Sequence, residues 1–325
     1  SIMIIHHSTK VAIDFTSDSH IIEANKIIGE NYLLEINNKK VHVDFSIIPV
    51  LMNEPYFNGF ILVLQDISNR RKFSKELQRE IDLTFEMQKS ILPDNDSVLN
   101  GMRISCFLQS CTFGAGDLFN FFSINEDFAG FYMLDVMGHG IPATITSLIL
   151  HRFLSPLRKE GGILLDLNHK PLPPSYVLEN LNRRFHQEKN NQYFTIIYGL
   201  YHYKTGIIRA AGGGHNFPIL QKADGEIKII RTEGSIVGFF KDLNLTEVEF
   251  TMEKNDRFFL YTDGLIDCIN NKNELFSLKR LISFIKEYKC NSLTELVQFL
   301  EKGIMRWRGK DQLDDDISFL AIERT

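Results

Sequence analysis

"MLDVMGHGIPATI", Met133 to Ile145, is the stretch whose reading decides the fold. An apolar strand, Phe131 to Leu134, runs straight into Asp135. A turn holding Gly138, His139 and Gly140 follows, and glycine lets the backbone turn tightly there. Next comes a helix with Pro142 in its first turn, where proline is tolerated, and with Ile141, Ile145, Leu148, Ile149 and Phe153 along one apolar face. His139 reads as a turn residue packed on this helix rather than as a ligand or general acid.

Outward from this stretch the same grammar recurs. "RFFLYTDGL" carries an aromatic strand into Asp263 and Gly264, and "LDDDISFLAI" sets Asp314, Asp315 and Asp316 before an apolar strand. "FGAGDLFNFFSI" places Asp117 between a glycine turn and a strand. Singly, an aspartate beside glycine is most often a turn former or helix cap. Repeated at four strand ends, the pattern points to carboxylates gathered at one end of the sheets. There they would repel one another and resist ionisation, a conflict that a cation removes. Carboxylate oxygens without Cys or His beside them are hard ligands that favour Mg²⁺ or Mn²⁺.

The chain has 325 residues, a length that favours two domains, and 44% hydrophobic and 24% charged residues exclude disorder and fibre. A net charge of -5 argues against nucleic acid as a partner, since duplex binding calls for a basic patch. The nearest basic run, "NRRKFSK" from Asn69, reads as a solvated helix start. No apolar run approaches the roughly 18 residues that cross a bilayer, and the N-terminus lacks signal-peptide order. The expectation is a cytoplasmic protein without a membrane partner. Cys106, Cys111, Cys268 and Cys290 form no CxxC pair, which suits a reducing compartment, and read as small buried hydrophobes.

Residues 1–66 read as strands and turns with one short helix. "KKVHVDFSIIPVLM" and "FILVLQDI" form an antiparallel hairpin across the turn "NEPYFNG". Residues 67–93 form a helical linker, with Phe73, Leu77, Ile81, Phe85, Gln88 and Leu92 at helical spacing and Pro93 as its stop. Such a helix either lies on its own domain or pairs in a coiled coil between subunits. Residues 94–325 form the large domain, rich in apolar strands, with helical patterns at 141–158, 175–188, 277–289 and 292–306 and a long loop from Lys159 to Ser175. Long apolar strands imply sheets covered on both faces, hence an α+β arrangement of two packed sheets flanked by helices.

Taken in order, "MQKSILP", "GAGDLFNF", "LDVMGHGIPA", "LENLNRRF", "YFTIIYGLY", "AGGGHNFP", "GSIVGF", "LYTDGLIDC" and "DDDISFLAI" resemble the PPM-type metal-dependent serine/threonine phosphatases. The resemblance is to the bacterial SpoIIE-like, sigma-factor-regulating branch and covers about residues 85–325. It implies a four-layer α-β-β-α sandwich of two mainly antiparallel sheets. It further implies two Mn²⁺ or Mg²⁺ ions held by Asp135, Asp263 and Asp315, with Asp117 nearby and the Val136 carbonyl as a further ligand. Asp315 is chosen over Asp314 because the family's pattern of two acids, an apolar residue and Ser or Thr falls on Asp315 to Ser318.

The activity implied is hydrolysis of a phosphoserine or phosphothreonine monoester by a hydroxide bridging the two ions, on a phosphorylated protein such as an anti-sigma-factor antagonist. Two residues depart from the pattern: Asn120 stands where many relatives carry an aspartate, and Ala115 replaces a glycine. Asn120 is the one support for the alternative of a catalytically weak pseudophosphatase acting as a binding scaffold. A two-metal nuclease is a further alternative, disfavoured by the lack of a basic groove. Residues 1–66 resemble the C-terminal half of a PAS sensor domain, a small α/β region. That implies a signal passed through the linker to the catalytic domain of a homodimer.

Overall fold

The computed structural model describes residues 3–6, 12–14, 27–36, 39–51, 58–111, 114–156, 162–187, 192–288, 292–309 and 313–325. The chain divides into two compact units, Ser1–Glu80 and Ile81–Thr325. Among the described residues no helix is long and apolar enough to cross a membrane.

In the first unit, β1 (Met3–His6), β2 (Ala12–Asp14), β3 (Ile27–Ile36), β4 (Lys39–Leu51) and β5 (Asn58–Asp66) form an antiparallel sheet in the order β2-β1-β3-β4-β5. The expected hairpin is the β4–β5 pair, in register from Val43 opposite Asp66 to Leu51 opposite Asn58. Alternate residues Val43, Phe45 and Ile47 are buried with Leu34, as the period of two requires. Most of the turn "NEPYFNG", and the short helix expected in this region, lie outside the described residues, as does Cys290.

The helix expected over residues 67–93 is α1 (Ser68–Lys89), and the boundary between the two units falls within it. It stops before Pro93, because residues preceding a proline disfavour helical geometry. Phe73, Leu83 and Met87 are exposed on it, whereas Gln88 is completely buried.

In the second unit, β8 (Leu118–Ser123), β9 (Phe128–Val136), β10 (Phe194–His202), β11 (Ile207–Gly213) and β14 (Glu247–Thr251) form one sheet, ordered β14-β11-β10-β9-β8. The other contains β6 (Ser97–Leu99), β7 (Met102–Gln109), β12 (Ile219–Gln221), β13 (Ile227–Ile229), β15 (Arg257–Tyr261) and β16 (Ile317–Arg324), ordered β13-β12-β15-β16-β7-β6. The helices are α2 (Ile141–Phe153), α3 (Pro174–Gln187), the single turn α4 (Asp263–Ile266), α5 (Ser277–Glu287) and α6 (Leu293–Arg308).

Three separate cores establish the layering. Along β9, Ala129, Phe131 and Met133 point into the core between the sheets, with Phe258 and Leu320 from the opposite sheet. Tyr132, Leu134 and Val136 point the other way, into a core shared with α2 and α3. On β16, Leu320 and Ile322 face the central core, while Ile317, Phe319 and Ala321 pack with Leu281, Leu296 and Leu300 of α5 and α6. The result is an α-β-β-α sandwich, and the unbroken apolar strands are accounted for because each is covered on both faces.

Two elements depart from expectation. Strand β7 was not apparent from the sequence, because Arg103 and Ser105 interrupt its apolar run; Ser105 is buried and satisfied by the Asn95 side chain at 2.7 Å. Helix α2 is turned the other way from the usual amphipathic rule. Ile141, Ile145 and Ile149 face solvent, and Ala143, Thr144, Thr146, Ser147 and Leu150 are buried. Its inner side lies close against the turn before β8, where Ser147 approaches the Ala115 carbonyl at 3.5 Å, so small side chains are required there.

Candidate metal centre

Antiparallel pairing gathers the carboxylates. Strand β9 ends where β8 begins, with Leu134 opposite Leu118, so Asp135 and Asp117 sit at one tip. Strand β15 ends where β16 begins, with Tyr261 opposite Phe319, so Asp263 and Asp315 share the corresponding tip of the other sheet. Side chains tie the two tips together. Thr262 donates its hydroxyl to Asp117 Oδ2 at 2.7 Å, and Asp316 accepts the N–H groups of Cys111 at 2.8 Å and Gly116 at 2.7 Å. Gly264 is needed for this closure: a Cβ there would stand 2.1 Å from the Asp316 carbonyl oxygen.

All four carboxylates named from the sequence therefore come together, at different depths. Asp117 is buried, Asp135 is partly buried, and Asp263 and Asp315 face solvent. Val136 closes β9 beside them, its N–H directed to the Gly116 carbonyl at 3.4 Å.

Burial and mutual repulsion hold these groups protonated beyond the ordinary carboxylate range. For Asp117 burial comes first, followed by the charges of Asp135 and Asp316, and its pKa lies well above the usual value. Burial, then Asp263, Asp315 and Asp316, raise Asp135 to about 7. Burial also raises Asp263 and Asp315; for Asp315, His139 acts in the opposite sense. His139 is thus an exposed neighbour of the acidic tip rather than a residue packed on α2.

Several contributors escaped the sequence reading. Cys111 is half-buried at the centre: its sulfur and carboxylate oxygens of Asp315 and Asp316 all lie within 4.8 Å of one another. The expectation of carboxylates without Cys or His beside them is therefore corrected: Cys111 and His139 both neighbour the tip. Gln88, assigned to the apolar face of the linker, clasps the turn before Asp117. Its amide donates to the carbonyls of Ala115 at 2.7 Å and Asp117 at 3.1 Å and to Ser147 at 3.2 Å, while its oxygen accepts the Ala115 N–H at 3.1 Å.

Asn120 donates to the Ile91 carbonyl at 2.9 Å, anchoring the segment that leaves the linker helix. Thr195, opposite Asp135 in the β9–β10 register, pairs with buried His215 at 2.8 Å, and burial pushes that imidazole down to about 3. A polar residue in an apolar helical stripe, at Gln88, was the one visible signal among these.

Comparison with known proteins agrees with this architecture. The family of Stage II sporulation protein E (SpoIIE) matches residues 125–325. Phosphoserine phosphatase RsbU of Bacillus subtilis (strain 168) is 24% identical over 269 residues, covering 82% of this chain and 76% of that protein. The SiaA-PP2C domain of Pseudomonas aeruginosa superposes with a TM-score of 0.65 at 15% identity, over 77% of this chain and 98% of its own. RsbX in complex with magnesium gives a TM-score of 0.50 at 15% identity, over 70% of this chain and 98% of its own. Because the matched family region takes in more than half of the sequence, including Asp135, Asp263 and Asp315, this chain belongs to the SpoIIE family of PP2C-type protein phosphatases.

Proposed function

We propose that the second unit hydrolyses a phosphoserine or phosphothreonine monoester on a regulatory protein, using two Mn²⁺ or Mg²⁺ ions at the acidic tip. The observation that carries this reading is the gathering of four carboxylates at one end of the two sheets, where Asp117 feels the charge of Asp135, and Asp135 the charges of Asp263 and Asp315. Such a cluster is stable in ionised form only with cations among it, and its oxygen donors suit hard divalent ions. The relative RsbX, solved with magnesium, is in keeping with this.

Asp135, Asp263, Asp315 and the Val136 carbonyl would hold the ions, with buried Asp117 behind them. Divalent ions in such a site acidify water and offset the negative charge of phosphate. The chain contributes positioning. Thr262 fixes the Asp117 carboxylate by a 2.7 Å hydrogen bond, and Asp316 holds the two backbone segments at Cys111 and Gly116. Preorganisation of this kind is what phosphoryl transfer asks of a protein.

By analogy with the phosphoserine phosphatase RsbU, the substrate is a phosphorylated protein such as an anti-sigma-factor antagonist. The first unit would sense a signal, and α1, with exposed Phe73, Leu83 and Met87, would pair two chains in a homodimer. Against the scaffold alternative, Asn120 has a structural use. Asn120 uses an amide N–H that aspartate does not possess to hold Ile91, so its departure from the family pattern has a structural cause.

Titrating Mn²⁺, Mg²⁺ and chelator against phosphoserine-peptide hydrolysis tests the proposal. Phosphate release should rise with metal and vanish with chelator; metal-independent release, or none at any metal concentration, would refute it.

A further inference from the structure

One residue beyond Val136 the surface changes from acidic to apolar. Met137 is 61% exposed, and its N–H donates to the Tyr193 carbonyl at 3.1 Å. The Tyr193 ring meets Phe239 edge-on at 5.2 Å, and Phe239 meets Phe240 at 4.8 Å. Both phenylalanines are half exposed. On the other flank α2 turns Ile141 and Ile145 outward, and Thr146 joins that helix to Gln192 through a 2.6 Å hydrogen bond. Helix, strand start and loop thus form one continuous shelf bordering the acidic tip.

The shelf is built to stay in place. Asn182, buried on α3, donates to the carbonyls of Phe240 at 2.9 Å and Lys241 at 3.0 Å and accepts the Gly238 N–H at 2.8 Å. Gly238 has φ of 87°, and a Cβ there would stand 2.9 Å from the Gln192 carbonyl oxygen, so only glycine lets the loop close on β10. A buried amide committed to holding two phenylalanines toward water leaves solvation cost in the free protein. Rigid aromatic surface of this kind lowers the ordering cost of binding.

Ions at the tip would attract any phosphate monoester alike, so discrimination between partners must come from the bordering surface. We propose that Met137, Ile141, Ile145, Tyr193, Phe239 and Phe240 dock the substrate segment flanking the phosphoserine and select apolar side chains there, an inference that rests on the phosphatase reading. The occupant follows from continuity. The shelf starts beside Val136, so a protein that brings a phosphoserine to Asp135 lays its adjacent residues across it. The six shelf side chains carry no charge, with exposed His139, Lys241 and Asp242 only at their border, so a charged flank seated on them loses hydration without gaining a partner.

The test uses the full chain, p-nitrophenyl phosphate, and two fluorescein-labelled phosphoserine peptides, one flanked by Leu and Ile and the other by Ser and Glu. With Mn²⁺, the parent should prefer the apolar peptide by about tenfold or more, both in kcat/KM and in affinity by anisotropy. The Phe239→Ser/Phe240→Ser variant, and separately Ile145→Ser, should lose most of that preference while keeping p-nitrophenyl phosphate turnover within about twofold.

Equal use of both peptides by the parent, or a preference intact in both variants, would overturn the proposal. So would a halved mass of either variant by light scattering, which would assign the shelf to a second copy of the chain. Failure of the parent to cleave any of the three substrates would defeat the phosphatase reading instead, and peptide anisotropy would still decide the shelf.

Discussion

Asp135 links the electrostatics of the tip to a measurable pH dependence. Its pKa is raised to about 7 by burial and then by three neighbouring aspartates. Between about pH 4, where an unfolded aspartate ionises, and pH 7 the metal-free fold keeps a proton that the unfolded chain has released. The metal-free protein therefore loses stability from this group as pH rises through that window. A cation must displace the same proton, so apparent Mn²⁺ affinity should weaken by about tenfold per pH unit below 7 for each proton displaced. Calorimetric titration at several pH values checks this; affinity independent of pH would contradict it. Asp135→Asn and Asp263→Asn should each abolish Mn²⁺-dependent turnover of p-nitrophenyl phosphate with circular dichroism unchanged.

Asn120 makes the complementary point. Asn120→Asp replaces the donor to Ile91 with an oxygen facing an oxygen and should cost about 1–3 kcal/mol in urea unfolding without improving catalysis. Among single residues, Asp117, Asp135 and Asp263 were legible because each stands between an apolar run and a glycine, whereas Asp315 was picked out of three consecutive acids by the family's pattern. The hydrogen-bond roles of Asn120, Thr262 and Asp316 were not, because their partners lie 29, 145 and 205 positions away in the chain.

Among the elements, α1 and α2 teach most. The linker helix was legible from its period, but its final turn belongs to the catalytic unit through Gln88, whose partners are backbone groups that a sequence does not reveal. Gln88→Ala would leave the Ala115 N–H without its partner and its carbonyl with only the long Ser147 contact, and should lower unfolding free energy by about 1–3 kcal/mol. It should also raise the Mn²⁺ concentration needed for half-maximal turnover, since the turn before Asp117 would lose its clasp. A denaturant midpoint and metal requirement equal to the parent's would show the clasp to be dispensable. In α2, periodicity identified the helix and its apolar stripe correctly. The side that is buried was decided by close approach to the glycine turn, a tertiary constraint that overrides the amphipathic rule.

For the molecule as a whole, the sandwich was legible because long apolar strands demand cover on two faces, and three distinct cores supply it. Strand order and the joining of tips across the two sheets depend on pairings distant in the chain, which composition and period do not encode. If α1 pairs two chains, sedimentation should give twice the 37.5 kDa chain mass, and Leu83→Lys/Met87→Lys should reduce it to one chain. A parent that sediments as a single chain would remove the paired-helix reading while leaving the metal centre untouched.

Strand β16 lies between β15 and β7, and Ile317 pairs with Gln109, so β7 waits for a partner 208 residues later in the sequence. At ribosomal rates of about 5–20 residues per second, that interval lasts roughly 10–40 s. Throughout it the nascent chain carries an apolar strand with an open edge, a hazard for aggregation. Heterologous yield of this protein should therefore respond to chaperone supply and slower induction at low temperature more than to substitutions at the acidic tip.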